Sequence, residues 1–229
     1  MNKQKIAFVC ASGPSLSDEQ CEMVSHSIQK EKRILLTVND TYRKFTDDLD
    51  IVYCADLDWL KFHASDLGRT LNSSAVIYMP NRPNIRSYIE DLRNSIVHNL
   101  PIRLVDCYNH QGLYKDKTAI NCGRNSGYQA VHLARNLGAE TIILLGFDMN
   151  TDPLTGKEHW FGNHPKGLRS PVSEFDSFVD HFWALASDLS KERIHVINAT
   201  GPNSRLNEFF ETQNLAQVFS DPKIFSKNG

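Results

Sequence analysis

The chain has no C-x-x-C pair among its five cysteines, Cys10, Cys21, Cys54, Cys107 and Cys122. Their odd number and scattered positions argue against a disulfide framework. Cys10 and Cys54 lie in apolar runs and read as small core residues. No apolar run approaches the roughly 20 residues of a membrane-spanning helix. The opening MNKQKIAFVC enters a strand pattern without an apolar leader or a cleavage site, so no signal peptide and a cytoplasmic location are expected. Charge of one sign is also lacking. With 25 basic and 27 acidic residues the formal net charge is −2, so no basic field points to nucleic acid or an anionic membrane. Internal repeats, low-complexity tracts and interdomain linkers are absent. So are G-x-G-x-x-G and Walker motifs, which disfavours a Rossmann dinucleotide site or an ordinary P-loop ATPase.

What is present fits an α/β protein. The 229 residues are 41% hydrophobic and 23% charged, an ordinary soluble composition. They suffice for a single α/β domain over residues 1–229, with lid or loop insertions at about 107–122 and 150–172. Strands are predicted at Ile6–Cys10, Arg33–Val38, Asp50–Cys54, Ala75–Met79, Thr141–Leu145 and Ile194–Ile197, with a short one at Ile102–Val105. Helices are predicted over Asp18–Lys30, after Asp56 with Trp59 and Phe62 as anchors, over 84–100, from Ser126 to Leu137 and over Phe175–Leu189. One more short helix is expected beyond Ser204, docked by Leu206, Phe209 and Phe210. This alternation predicts a Rossmann-like three-layer α/β/α fold with a mostly parallel sheet and a loop-rich lid.

The stretch Asn121–Met149 organises the chain. It reads as a loop, a capped helix, a Gly138 turn and a buried strand that ends in Gly146-Phe147-Asp148. Gly123-Arg124-Asn125-Ser126-Gly127 offers backbone N–H groups, an arginine and a helix N-terminus of roughly +0.5 charge, a setting for a phosphate. An ordinary capped turn is the plainer alternative. The first strand runs into Ser12-Gly13-Pro14-Ser15-Leu16. There Gly13 permits close backbone approach, Pro14 fixes the turn and the serines supply hydroxyls. Ser12, Asn39, Asp56 and Asp148 all close apolar strands. If the strands are parallel, these residues share one rim, where α/β sheets bind ligands.

Three further elements carry chemistry. Asp56-Leu57-Asp58 is formally a metal-holding D-x-D, although a strand-end acid followed by a helix-capping Asp58 explains it more simply. His159 and His164 flank Trp160, Phe161 and Gly162. Their spacing fits neither a zinc helix nor H-E-x-x-H, so the loop reads either as a rigid presenter of a general base or as packing. Arg169 follows and is in range of an anion. Between Cys107 and Thr118 periodicity disappears around Tyr108, His110 and Tyr114, and a loop of that length is often functional.

Taken in order, Ser12-Gly13-Pro14-Ser15-Leu16, Val38-Asn39, Asn125-Ser126-Gly127 and Leu144-Leu145-Gly146-Phe147-Asp148-Met149 resemble the G-x-G-P-S-L group. That group holds bacterial lipooligosaccharide sialyltransferases, motility accessory factors of flagellin glycosylation and archaeal 6-hydroxymethylpterin pyrophosphokinases. With Tyr53-Cys54-Ala55-Asp56, Trp59 and His159–Pro165, the chain looks most like small phage and prophage proteins of the group. The resemblance covers most of residues 5–200. It implies that Ser12, Gly13, Pro14, Ser15 and Asn39 form the nucleotide turn, with Asn125, Ser126 and Gly127 as a second donor contact. It implies metal-free transfer with a loop histidine as base. The chain departs in carrying Ser12 where those enzymes often have Asn, and in its Asp56-Leu57-Asp58.

The expectation is therefore a glycosyltransferase-like enzyme with a nucleotide-activated sugar, CMP-linked by resemblance. His164 is the favoured base, with His159 and Asp148 beside it. Ser12, Gly13, Pro14, Ser15, Asn39, Asp56, Arg124, Asn125, Ser126 and Gly127 would bind the nucleotide, with no cofactor firmly implied and Mg²⁺ left open. Two alternatives stand. One is diphosphate transfer of the hydroxymethylpterin type, with Mg²⁺ on Asp56, Asp58 or Asp148. The other is a nucleotide-binding module without chemistry. Acceptor and oligomeric state stay open.

Overall fold

A computed structural model describes residues 5–30, 33–45, 47–93, 100–165, 167–168 and 171–225. The strands are β1 (Ile6–Cys10), β2 (Ile34–Val38), β3 (Ile51–Tyr53), β4 (Val76–Pro80), β5 (Ile102–Tyr108), β6 (Ala119–Asn121), β7 (Thr141–Leu145), β8 (His195–Asn198) and β9 (Glu211–Thr212). The α-helices are α1 (Asp18–Lys30), α2 (Leu57–Thr70), α3 (Pro83–Arg93), α4 (Ser126–Asn136), α5 (Phe175–Lys191) and α6 (Leu215–Ser220).

All the strands join one sheet in the order β6-β5-β4-β3-β2-β1-β7-β8-β9, and every neighbouring pair is parallel. The chain winds outward from β1 to β6, then crosses back to place β7 on the other side of β1. The switch point lies between β1 and β7, where Val9 pairs with Leu144. Both strands are buried along their whole length, as their unbroken apolar runs require.

Side chains leave the two faces alternately and fill two cores. On one face Phe8, Leu35 and Ile143 meet Val24 of α1, Leu60 of α2, Ile85 of α3 and Val218 of α6. On the other, Val9, Leu36 and Leu144 meet Val131 of α4 and Phe182 of α5. The architecture is thus the expected three-layer Rossmann-like fold. A central residue such as Leu144, fully buried, should cost about 2–5 kcal/mol on truncation to alanine.

Several local expectations change. The Ile102 strand continues to Tyr108 because Asp106, Cys107 and Tyr108 pair with β6, itself a short strand inside the segment read as a loop. The tail holds a 3-10 turn at Arg205–Glu208, strand β9 and helix α6 rather than one helix. Phe62 does not anchor α2, since it is 55% exposed while Trp59 is buried. The helix read over 84–100 is α3 to Arg93, and residues 94–99 lie outside the described residues. Among the described residues no helix is long and apolar enough to cross a membrane.

Candidate functional site

A cavity of about 850 Å³ opens over the C-terminal ends of β1, β2, β3 and β7. It includes the switch point, the place where a parallel α/β sheet has room between diverging connections. Ser12, Gly13, Asn39, Asp56, Arg124, Asn125, Ser126, Gly127, Asp148, His159 and His164 all line it. Asp58 lines it too. Pro14 and Ser15 do not. They face a cavity of about 80 Å³ on the far side of Asp148.

The β1 turn is built by contact with β7. Gly13 N–H donates to the Gly146 carbonyl at 2.9 Å. A Cβ on Gly13 would lie 1.9 Å from Asp148 Oδ2 and 2.4 Å from that carbonyl, so only glycine fits. Ser12 Oγ donates to the Val38 carbonyl at 3.0 Å and lies 3.1 Å from Thr41 Oγ1. Its hydroxyl therefore ties β1 to β2, and its carbonyl accepts Trp160 N–H at 3.1 Å. Ser15 supports Asp148, donating from Oγ to Oδ2 at 2.8 Å. Burial pushes the Asp148 carboxyl up to about 6, although the Ser15 hydrogen bonds pull the other way. A carboxyl at that value can hold or release a proton near neutral pH.

At the α4 start Asn125 Oδ1 accepts Tyr128 N–H at 2.9 Å, the expected N-cap. Ser126 Oγ accepts Ala55 N–H at 3.2 Å, which joins this loop to the β3 end. Arg124 is exposed and pairs with Glu174 at 3.1 Å. Arg124, Asn39 and Met149 have φ of +57°, +51° and +50°, a left-handed backbone that is uncommon outside glycine. All three line this cavity, and such backbone gathers at functional sites.

The two acids of the D-x-D have separate protein partners. Asp56, rather than Asp58, is the N-cap of α2, and its Oδ1 accepts the N–H groups of Asp58 and Trp59 at 2.8 and 3.4 Å. Asp58 pairs with Lys61 at 3.4 Å. Among the described residues no group of three His, Cys, Asp or Glu side chains could hold a metal ion.

The lid folds back on itself through paired hydrogen bonds between His159 and Gly162, 3.0 and 2.9 Å long. Gly162, at φ +100°, permits the reversal. His159 stacks on Phe161 with ring centres 4.9 Å apart and meets His164 at 4.4 Å. Trp160 packs into the core, and Lys44 Nζ lies 4.3 Å above its ring. These contacts dock the lid on the segment after β2. His159 Nε2 and His164 Nδ1 are buried and lack hydrogen-bond partners. Burial, with His164 alongside, lowers His159 to about 4, so His159 is neutral at pH 7.

Lys61, Arg82, Asn84, Gln129 and Phe178 also line the cavity, and no sequence signal marked them. The lining holds five carboxylates, Asp56, Asp58, Asp148, Glu158 and Glu174, against three cations, Lys61, Arg82 and Arg124. Any anion bound here is accordingly held by local donors rather than by a net positive field. His110 is exposed and outside the cavity, and Arg169 lies outside the described residues. No protein-family model matches the chain, and comparison with the curated proteins also gives no match.

Proposed function

We propose that the protein is a glycosyltransferase-like enzyme that uses a nucleotide-activated sugar, with a CMP-linked donor suggested by the G-x-G-P-S-L resemblance. The observation that carries this reading is the pair of histidines, His159 and His164, which line the cavity that the Gly13 turn and the α4 start share and each bury one ring nitrogen without a partner. Donor phosphate would sit at the N–H groups that open α4, with Arg124 beside it. Asn39, at the β2 end, would meet the nucleoside. The sugar would then lie under the lid, toward Asp148.

In the transfer step, the acceptor oxygen bonds to the anomeric carbon as the bond from that carbon to the phosphate oxygen breaks. The acceptor proton passes to His164, and the leaving nucleotide keeps the electron pair, stabilised by Arg124 and the helix start. His159 is the weaker candidate base because burial and its neighbour lower its affinity for a proton.

The test is a thermal-shift panel of cytidine 5′-monophosphate, other nucleotides and nucleotide sugars, with and without Mg²⁺. At least one nucleotide or nucleotide sugar should raise the melting temperature, and a donor that binds should be hydrolysed slowly. If no compound stabilises the protein, the nucleotide reading fails. Binding without hydrolysis or transfer would mark a sequestering module instead. With a donor in hand, His164→Ala should cut turnover by about 10²–10⁴-fold and leave nucleotide affinity in place.

A further inference from the structure

The loop that opens α4 is held in shape by a side chain that the transfer step above does not use. Cys122-Gly123-Arg124-Asn125 is a tight turn, closed by Asn125 N–H donating to the Cys122 carbonyl at 3.3 Å. Its two central residues both lie in the left-handed region, Gly123 at φ +45° and Arg124 at φ +57°. Turns of that kind ordinarily place glycine, asparagine or aspartate at these positions. Gly123 obeys the rule, and its missing Cβ leaves room for the Tyr128 ring, which would lie 2.3 Å from it. Arg124 breaks the rule, so surrounding structure must hold it there.

That hold comes from Gln129, one turn into α4. It is 1% exposed although it lines the cavity. Its Nε2 donates to the Cys122 carbonyl at 2.7 Å, and its Oε1 accepts the Tyr53 hydroxyl at 2.6 Å. A carbonyl oxygen only accepts, so the amide must turn its nitrogen toward Cys122. Its oxygen then faces Tyr53, whose hydroxyl must donate. Burial raises the Tyr53 pKa and keeps that proton in place. The amide therefore has a single orientation. The β3 end supports the loop a second time, through Ala55 N–H, which donates to Ser126 Oγ at 3.2 Å.

We infer that Gln129 is a positioning residue for the donor phosphate: its amide locks the Cys122–Asn125 turn, and the turn sets where Arg124 meets the anion. This rests on the reading of the α4 start as the phosphate site. Both ends of the amide are taken by the protein, so Gln129 acts through the turn rather than on the ligand.

The experiment uses the full chain with Gln129→Met, which fills the same space and makes neither bond. Exchange of the Asn125 amide proton, followed by NMR without ligand, should quicken about tenfold or more. Affinity for cytidine 5′-monophosphate by isothermal titration should fall about tenfold. The double variant Gln129→Met/Arg124→Ala should bind no more weakly than Arg124→Ala alone, since both changes remove one interaction. A side chain that merely stabilised the fold would lower the melting temperature without moving the Asn125 rate. An unchanged Asn125 rate, or losses that multiply in the double variant, overturns the proposal. Should Gln129→Met not fold, Tyr53→Phe decides by the same readings, since it keeps the buried ring and removes only the hydroxyl that orients the amide. If wild type binds none of the nucleotides in the panel above while the Asn125 rate still rises, the turn lock stands and the phosphate reading falls.

Discussion

Gly13 and Asp148 approach so closely that a single added methyl carbon would lie 1.9 Å from the carboxylate. The first β-α turn and the end of β7 are therefore one unit, and its geometry sets both the cavity floor and the Asp148 environment. Gly13→Ala must push against Asp148 and against the Gly146 carbonyl, and a backbone carbonyl cannot turn aside as a side chain can. The expected cost is about 1–3 kcal/mol or more, read as a lower denaturant midpoint. Unchanged stability would show that the turn can open without penalty.

Asp148 should give stability a specific pH dependence. Its pKa rises from 3.8 to about 6 on folding, so the folded chain binds the extra proton between those values. Stability from this group therefore increases as pH falls through 6 and is complete below 3.8. His159 works the other way. Its pKa falls from 6.5 to about 4, so its contribution is present above 6.5 and is lost as pH drops through 4. The measurement is thus the difference between wild type and Asp148→Asn, taken by denaturation at pH 7 and pH 5. Wild type should gain on the variant by about 1 kcal/mol at the lower pH.

Trp59→Phe tests the hydrogen bond from the α2 indole to Asp40, a buried acid in the turn after β2. It keeps the ring but removes the 2.7 Å donor to Asp40 Oδ2. Leaving a buried carboxylate without that partner should cost about 1–3 kcal/mol. Phe62→Ala, on the same helix but 55% exposed, should change stability by less than about 0.5 kcal/mol.

Arg124→Ala addresses the α4 start. The side chain is exposed and its one ion pair is with Glu174, so the fold should lose less than about 1 kcal/mol. Affinity for cytidine 5′-monophosphate should nevertheless fall about tenfold by isothermal titration, as expected for loss of a charged hydrogen bond. Equal affinity in variant and wild type would remove Arg124 from the site.

The sequence by itself determined the layered fold. Unbroken apolar runs such as Ile6–Cys10 and Thr141–Leu145 must be buried on both faces, and only a covered parallel sheet does that. Strand-end polar residues followed from the same pattern, because a strand that stops at Asp148 or Asn39 leaves that residue at the sheet rim. Pairing, in contrast, is not written locally. Asp106–Tyr108 and Ala119–Asn121 became strands because each supplies the other's backbone partners, and two such short segments carry no period of their own. Tertiary structure also decided what each polar side chain does. Ser12, Ser15 and Asp56 were legible as rim residues, yet their oxygens are taken by Val38, Asp148 and the α2 backbone. Asp40 and His63 are 23 positions apart and meet only because the turn after β2 and helix α2 pack on one side of the sheet. The reason is physical: hydrophobic periodicity is a property of neighbouring residues, whereas the partner of a buried charge is chosen by whatever the fold brings within a few ångströms of it.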